Sequence, residues 1–210
     1  MAKDSKAKIR RNIIKSSQLY KSELAGKYYI YIYGNKYIEI LFKTNNFSHL
    51  TGVVTSLSGK EFYKLANKNK LSEGQFHFSS NHPLDLAEKK TRKLDKLSQL
   101  TKNDVFIIED MNSGSRIFKI GVCDLKITLG VVENRDEKTD TLIDNFLIPA
   151  TFRVRGENDF DKNRNVFSVD FILMKDSVFK KYDKMCFGDI EKISLLPKNI
   201  LNLIDKKMYT

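Results

Sequence analysis

The sequence predicts an α+β fold with a single core, in which N-terminal helices are followed by a mainly antiparallel β-sheet. Helical spacing and helix-capping residues occur before about residue 100, whereas short β-rich runs follow one another from residue 104 onward. Consecutive strands joined by short turns pair antiparallel, and helices preceding such a sheet are typical of the α+β class. The chain of 210 residues, 41% of them hydrophobic, is long enough for one sizeable core.

The first predicted elements are a helix and a hairpin. Residues 5–25 show partial helical spacing of Ile and Leu among many Lys and Arg, and Gly26 is a suitable C-terminal stop. The following stretch YYIYIYGNKYIEILFK (28–43) has two β-rich halves around Gly34-Asn35, which predicts a β-hairpin.

Two further helices are predicted before the sheet. SGKE (58–61) has the S-x-x-E form of a capping box, so we expect a helix that runs to about residue 70. Pro83 is suited to the first turn of another helix, which we expect to end near Leu100.

The sheet is predicted from five short β-rich runs separated by Asn, Ser, Gly and Asp. They are DVFIIEDM, SRIFKIGV, LKITLGVVE, FLIPATFRV and VFSVDFILM. An exposed hairpin loop is expected at 156–165, and KNILNLIDKK should form a short amphipathic helix near the end. We therefore expect a basic helical segment at 1–27, an α+β domain at 28–190 and a helical tail at 191–210.

The positive charge is concentrated in the first half of the chain. The net charge is +11, and residues 1–103 hold 20 Lys and Arg against 8 Asp and Glu, whereas residues 104–210 hold 17 against 18. Such an uneven distribution favours a polyanionic partner, with nucleic acid first and an acidic protein or anionic membrane surface behind it. A lysine-rich composition without functional meaning is the alternative.

Several classes of protein are disfavoured by the composition. No apolar run approaches the roughly 20 residues that span a membrane, and MAKDSKAKIRRNIIK lacks the apolar stretch of a signal peptide. Cys123 and Cys186 are not part of a CxxC pair, which argues against a disulfide framework and a cysteine-based zinc site. We expect a cytoplasmic protein that does not interact with membranes.

Motifs for metals and phosphate loops are missing from the sequence. GxxxxGK[ST], GxGxxG and HExxH do not occur, and His77 and His82 are poorly spaced for a metal. The doublet Glu109-Asp110 alone is more typical of a solvated surface. We therefore predict a protein without a metal or another cofactor.

A metal-free site for RNA cleavage could use His49. The 2′-hydroxyl of RNA can act as nucleophile if the protein supplies a base, an acid and cations for the phosphorane oxygens. His49 suits the proton-transfer role because the ordinary pKa of histidine is near neutrality, and Thr51 could contact the phosphate. A histidine between a strand and a helix can equally be a structural residue, so the spacing leaves both alternatives open.

Basic residues supply candidate nucleic-acid contacts. Lys89, Arg92, Lys93 and Lys96 follow the i, i+3, i+4, i+7 spacing of one helix face, which either binds an anion or is simply solvated. Further candidates lie on the N-terminal helix (Arg10 and Arg11) and on or beside predicted strands (Lys119 and Arg153).

Five stretches together resemble a known family, the fourth type of phage-associated nuclease-like domain in the barnase–EndoU–colicin–RelE superfamily, found on mobile elements of Gram-positive bacteria. They are IEILFKTNNFSHLTGV (38–53), GKEFYKLANKNKL (59–71), IFKIGVCDLKITLGV (117–131), LIPATFRV (147–154) and VFSVDFILMK (166–175). The resemblance covers about residues 28–185, and its most specific part is FxHLTG followed by Phe62-Tyr63.

The resemblance implies a barnase/RelE-like nuclease fold and metal-independent RNA cleavage. His49 and Thr51 fall on the HLTG motif, and we add Lys119, Arg153 and Ser168 as catalytic candidates from their strand positions and chemistry.

The leading hypothesis is an endoribonuclease-like protein of a phage or mobile element. Its role would be toxicity or counter-defence, including anti-CRISPR activity on a guide RNA or its effector complex. The second hypothesis is a non-catalytic inhibitor that binds nucleic acid or a ribonucleoprotein through its basic face, and the third is a DNA-binding accessory factor.

Overall fold

The computed structural model describes residues 2–112, 117–124, 126–136, 138–154 and 165–209. The α-helices are α1 (Ala2–Glu23), α2 (Phe47–Thr51), α3 (Gly59–Asn67), α4 (Leu84–Thr91) and α5 (Lys198–Leu201). Turns of 3₁₀-helix lie at Thr44–Asn46, Glu73–Gln75, Leu94–Thr101, Ile190–Leu195 and Lys206–Met208. None of the helices in these ranges is both long and apolar enough to cross a membrane.

The described residues form nine strands in one sheet. They are β1 (Lys27–Tyr33), β2 (Lys36–Leu41), β3 (Phe106–Asn112), β4 (Ile117–Cys123), β5 (Ile127–Arg135), β6 (Leu142–Val154), β7 (Val166–Ser168), β8 (Phe171–Asp176) and β9 (Lys184–Phe187). Their order is β7-β3-β4-β5-β6-β2-β1-β8-β9. The pairs are antiparallel except that β2 and β6 are parallel at Ile40 and Leu147. The predicted α+β class with a mainly antiparallel sheet is confirmed.

The sheet curls so that its two ends approach each other. Between β7 and β8 lie only two residues, yet β7 pairs with β3 and β8 pairs with β1 near the other end of the sheet. The rings of Tyr33 on β1 and Phe167 on β7 are 5.5 Å apart, which joins the two ends directly. Buried residues from both halves, such as Tyr31 and Leu129, belong to one core cluster.

Helix α1 is part of the main core rather than an appendage. Ile9 and Ile13 are fully buried and cluster with residues of the sheet and of the other helices. The predicted division at residue 27 would therefore separate one hydrophobic core into two parts.

The C-terminal segment covers the opposite face of the sheet. Alternation along β1 directs Tyr29, Tyr31 and Tyr33 to the main core and Ile30 and Ile32 to a second cluster. This second cluster includes side chains beyond residue 190, namely Ile193, Ile200 and Ile204. The expected helix at KNILNLIDKK is only the four-residue α5, because turns at both sides place these isoleucines on the sheet.

The predicted hairpin and capping residues occur in the structure. Tyr33 pairs with Lys36 across the two-residue turn, and Gly34 has φ +56°, a conformation that favours glycine. The Ser58 hydroxyl accepts a hydrogen bond from the amide of Glu61, which caps α3.

The prediction of one helix from Pro83 to Leu100 is wrong. The α-helix ends at Thr91, and residues 94–101 form a 3₁₀-helix. The physical reason lies in the leucine spacing: Leu94, Leu97 and Leu100 recur every third residue, and a 3₁₀-helix with three residues per turn aligns all of them toward the core.

Two other regions differ from expectation. The stretch 176–191, for which the sequence predicts no element, contains β9 and the start of a 3₁₀ turn. The run VFSVDFILM, predicted as one strand, is split between β7 and β8. The predicted hairpin loop at 156–165, apart from Asn165, lies outside the described residues.

We expect Gly59→Ala to destabilise the protein by about 3 kcal/mol. A Cβ at position 59 would lie 2.1 Å from the carbonyl oxygen of Asn45, so α3 would have to move away from the segment that precedes α2. Thermal unfolding measures the loss. Gly74→Ala is the matched control, because its Cβ would have no neighbour closer than 4.0 Å and should change stability by less than about 0.5 kcal/mol. Equal stability of the two variants would contradict this prediction.

Candidate active site

Within the segment NNFSHLTGV, residues Phe47–Thr51 form the short helix α2, and the side chain of Phe47 anchors this helix in the core. The ring of Phe47 is fully buried and packs edge-to-face on the rings of Tyr20 and Tyr63, at 5.2 and 5.6 Å between centroids. Helix α2 ends at Gly52, whose φ of +78° is the left-handed conformation typical of a helix C-terminus. Because Phe47 and Leu50 face the core, α2 holds a fixed position at the protein surface.

The side chain of His49 is exposed on α2. No described residue forms a hydrogen bond or ion pair with its imidazole. A buried imidazole held by backbone groups would have indicated a purely structural histidine, and the structure shows the opposite arrangement. The catalytic role of His49 itself stays a prediction.

Thr51 has a different environment from His49. Its side chain is fully buried, and its hydroxyl donates to the carbonyl of Ser48 at 2.6 Å. The same oxygen accepts from the amide of Val53 at 3.4 Å. These bonds give Thr51 a structural role in the last turn of α2, and its contact with phosphate stays a prediction.

Helix α4 packs directly on the end of α2. A Cβ added at Gly52 would lie 2.8 Å from Cδ of Lys90 and 3.4 Å from Cα of Ala87. The glycine of the HLTG motif is therefore required for two reasons: its backbone has a positive φ, and the stem of Lys90 occupies the space of a side chain.

Lys90 is buried, with only 8% of its surface exposed. Burial, and to a smaller extent the positive charge of Arg153, lower the pKa of Lys90 from 10.5 to about 8. No hydrogen bond or ion pair to Lys90 occurs within the described residues. The charged form of this lysine is therefore costly in the absence of a bound anion.

A second buried lysine shows how the fold normally accommodates such a group. The ammonium of Lys175 lies 4.4 to 5.6 Å from the ring centroids of Tyr28, Phe146 and Tyr182. It also donates to the carbonyl of Lys180 at 3.2 Å. Ring faces and a carbonyl compensate the buried charge of Lys175, and the described surroundings of Lys90 contain no such groups.

Lys90 lines a cleft of about 300 Å³ between α4 and β6. The lining residues are Leu86, Lys89, Lys90, Thr151, Arg153 and Val154. A β-bulge opposite Gly130 and Val131 precedes Thr151, and bulges are one way in which a strand redirects its side chains. The cleft thus combines three cationic side chains with one hydroxyl, and no acidic residue lines it within the described part of the chain.

Only part of the predicted site residues meet at this cleft. Lys89 and Arg153 line it, and α2, which carries His49, packs against both α4 and β6. Arg92 and Lys96 are exposed beyond the end of α4, and Lys93 is half-buried there, so they do not form the continuous α-helical stripe that the spacing predicts.

The other predicted residues lie elsewhere. Arg10 donates from its guanidinium to the carbonyl of Leu71, whereas Arg11 is exposed on α1. Ser168 is exposed on β7, opposite Phe106, and is not part of the cleft. Lys119 belongs to β4, but its side chain lies outside the described residues.

Sequence reasoning missed Lys90 and Thr151. A signal for Lys90 was available, because Ala87, Lys90, Thr91 and Leu94 share the i, i+3, i+4, i+7 spacing of the buried face. A lysine at a core position of an amphipathic helix is a candidate functional residue. Lys90 does not belong to the set of Lys89, Arg92, Lys93 and Lys96 that the spacing singled out. Thr151 carries no comparable signal.

The described residues that line the cleft are cationic, whereas a metal site requires carboxylate, imidazole or thiolate ligands. Within the described ranges, no group of three or more His, Cys, Asp or Glu is placed to hold a metal ion. The prediction that the protein acts without a metal stays a prediction.

The fold and the cleft define an α+β protein with a cationic cleft suited to phosphate groups. The chain belongs to the family of phage-Barnase-EndoU-ColicinE5/D-RelE like nucleases of type 4, whose family model matches residues 12–191. This match confirms the resemblance seen in the sequence and begins within α1, which the sequence had placed outside the domain. No curated protein and no solved structure matches the chain. Membership of this family indicates a nuclease or toxin type of function.

Proposed function

We propose that the protein is a metal-independent endoribonuclease whose substrate phosphate binds in the cleft between α4 and β6. The observation that carries this proposal is the buried Lys90, which lines the cleft together with two further cations and with no acidic residue among the described ones. A phosphate of RNA would neutralise this charge and replace the missing partner.

The chemistry requires no group beyond the side chains near this cleft. In the proposed step, His49 removes the proton of the 2′-hydroxyl, whose oxygen attacks the adjacent phosphorus. Lys90 and Arg153 stabilise the negative oxygens of the phosphorane that forms. The bond from phosphorus to the 5′-oxygen then breaks, the 5′-oxygen takes up a proton, and the products are a 2′,3′-cyclic phosphate and a 5′-hydroxyl.

Basic residues around the cleft would hold the rest of the RNA strand. Arg92 and Lys96 are exposed just beyond α4, and Arg11 is exposed on α1. The concentration of positive charge in residues 1–103 supports a polyanionic substrate of this kind.

His49→Ala is expected to reduce the rate of RNA cleavage by about 10²- to 10⁴-fold, because general acid–base catalysis by a side chain typically contributes this much. The measurement is cleavage of a labelled structured RNA in EDTA. His82→Ala is the matched control, since His82 is also exposed but lies in the turn before α4 and should leave the rate unchanged.

Two results would contradict the proposal. Cleavage that requires magnesium would exclude the metal-free mechanism. Equal rates for His49→Ala and the wild type would remove His49 from the reaction.

The second candidate function is a non-catalytic inhibitor that binds nucleic acid or a ribonucleoprotein. One observation favours it: the described residues that line the cleft include cations and a hydroxyl but no imidazole or carboxylate. Intact RNA that binds with an affinity falling steeply with salt would support this function over the enzyme.

The family supports a setting on a phage or another mobile element. There, within the bacterial cytoplasm, the activity would serve as a toxin against competitors or as counter-defence. An RNA-guided CRISPR effector presents both an RNA and a cationic nucleic-acid channel, so either candidate function would suit an anti-CRISPR role. A cleavage assay with free guide RNA and with the assembled effector distinguishes the two targets.

A further inference from the structure

Lys90 combines three features that a structural lysine does not need. Its stem is packed against Gly52 at the end of the HLTG motif, its exposed fraction is 8%, and its side chain lines the cationic cleft. A lysine that served only long-range attraction of RNA would be as effective on the open surface, where its hydration is retained. Burial instead fixes the ammonium at one point of the cleft wall.

No described charged group on the neighbouring elements forms an ion pair with Lys90. On α4 itself, Glu88 is bound to Lys8 of α1, at 3.2 Å. Asp95, in the 3₁₀-helix that follows, is bound to Lys15 of α1 at 2.9 Å. The other charged or titratable groups on α4 and α2 are Asp85, Lys89 and His49. The positive charge of Arg153 on β6 acts together with burial to lower the pKa of Lys90.

We propose that the Lys90 ammonium is the general acid of the cleavage step. This inference rests on the proposed ribonuclease function and assigns the proton donor that the function requires. As the bond between phosphorus and the 5′-oxygen breaks, an N–H of Lys90 transfers its proton to that oxygen, which leaves as a 5′-hydroxyl. Lys90 becomes a neutral amine and His49 keeps the proton of the 2′-hydroxyl. Exchange with water then removes the proton from His49 and returns one to Lys90 before the next turnover.

The protonation state of Lys90 agrees with this role. With a pKa of about 8, the side chain is mostly protonated at neutral pH and is a stronger acid than an ordinary lysine. The guanidinium of an arginine such as Arg153 is suited to stabilising the phosphorane, but it is not a proton donor in such a reaction.

The test compares two RNA substrates that differ in one atom. In the first, the scissile 5′-oxygen is natural; in the second, this oxygen is replaced by sulfur, a leaving group that departs without protonation. Relative to the wild type, Lys90→Met should lose about 10²- to 10⁴-fold more rate on the natural RNA than on the sulfur-substituted RNA, on which only its contribution to phosphate binding is lost. Lys90→Arg should behave in the same way, because it retains the charge but does not donate the proton.

Matched variants separate the proton donor from other roles. Lys89→Met, which alters the other lysine of the cleft, should be impaired equally on both substrates, and His49→Ala should also remain slow on both. An equal loss of Lys90→Met on the two substrates, with its thermal unfolding intact, would overturn the inference and leave Lys90 as a phosphate-binding group. If the wild type cleaves neither substrate, the proposed function itself fails, and this result is distinguishable from the former.

Discussion

Lys90→Met is expected to raise the free energy of unfolding by about 3 kcal/mol at pH 7. Burial lowers the pKa of Lys90 from 10.5 to about 8, and each pKa unit corresponds to about 1.4 kcal/mol of free energy. Methionine has a similar length, contains no charge and suits the contact that the stem of Lys90 makes beside Gly52. A variant that is more stable but less active is the pattern typical of a group retained for function.

The stability difference between Lys90→Met and the wild type should also depend on pH. Between about pH 8 and 10.5 the unfolded chain binds a proton at Lys90 that the folded chain has released, so the stability contributed by this group rises with pH. The advantage of Lys90→Met over the wild type is therefore complete below about pH 8 and disappears toward pH 10.5. Chemical denaturation of both proteins at pH 7 and pH 10 measures it.

Lys175→Met is the matched control, because Lys175 is buried to the same extent. Its ammonium contacts three aromatic rings and a carbonyl, so its removal should destabilise the protein by about 2 kcal/mol. The two substitutions are expected to have opposite signs. A loss of stability in Lys90→Met, or a difference that does not change with pH, would contradict the account of Lys90.

Phe47→Ala is expected to lower the free energy of unfolding by about 4 kcal/mol. The ring is fully buried, and its loss would leave a cavity beneath α2 and remove two edge-to-face contacts, with Tyr20 and Tyr63. Because these contacts hold α2, the orientation of His49 should be lost as well, and cleavage should fall even where the variant remains folded.

The control for Phe47 is Phe179→Ala. Phe179 is 49% exposed near the end of β8, so its truncation should change stability by less than about 0.5 kcal/mol. Thermal or chemical denaturation distinguishes the two variants. A stability of Phe47→Ala within 1 kcal/mol of the wild type would show that α2 does not depend on this ring.

Local structure could be read from the sequence wherever neighbouring residues decide it. The Gly34-Asn35 turn, the Ser58 cap and the alternation along β1 each depend on interactions within a few residues, and all three occur in the structure. Even the 3₁₀-helix at 94–101 was encoded locally, by leucines at every third residue, although we interpreted them as part of an α-helix.

Contacts between segments that are distant in the sequence could not be predicted from local patterns. The parallel pairing of Ile40 with Leu147 requires the whole intervening chain to form a crossover, and no local pattern specifies it. The same pairing places β6 beside α2 and α4, and thereby creates the cleft around Lys90 and Arg153.

The sequence by itself determined the class of the fold, because this class depends on periodicity and short-range spacing. It also revealed the family, through the resemblance of the stretches that include the HLTG motif. Only the tertiary structure decided that His49 is exposed, that Thr51 is buried and that Ser168 lies away from the cleft. It also decided which buried lysine has no compensating partner in the described part of the chain. Burial and desolvation arise from packing between elements far apart in sequence, and they distinguish Lys90 from the solvated lysines around it.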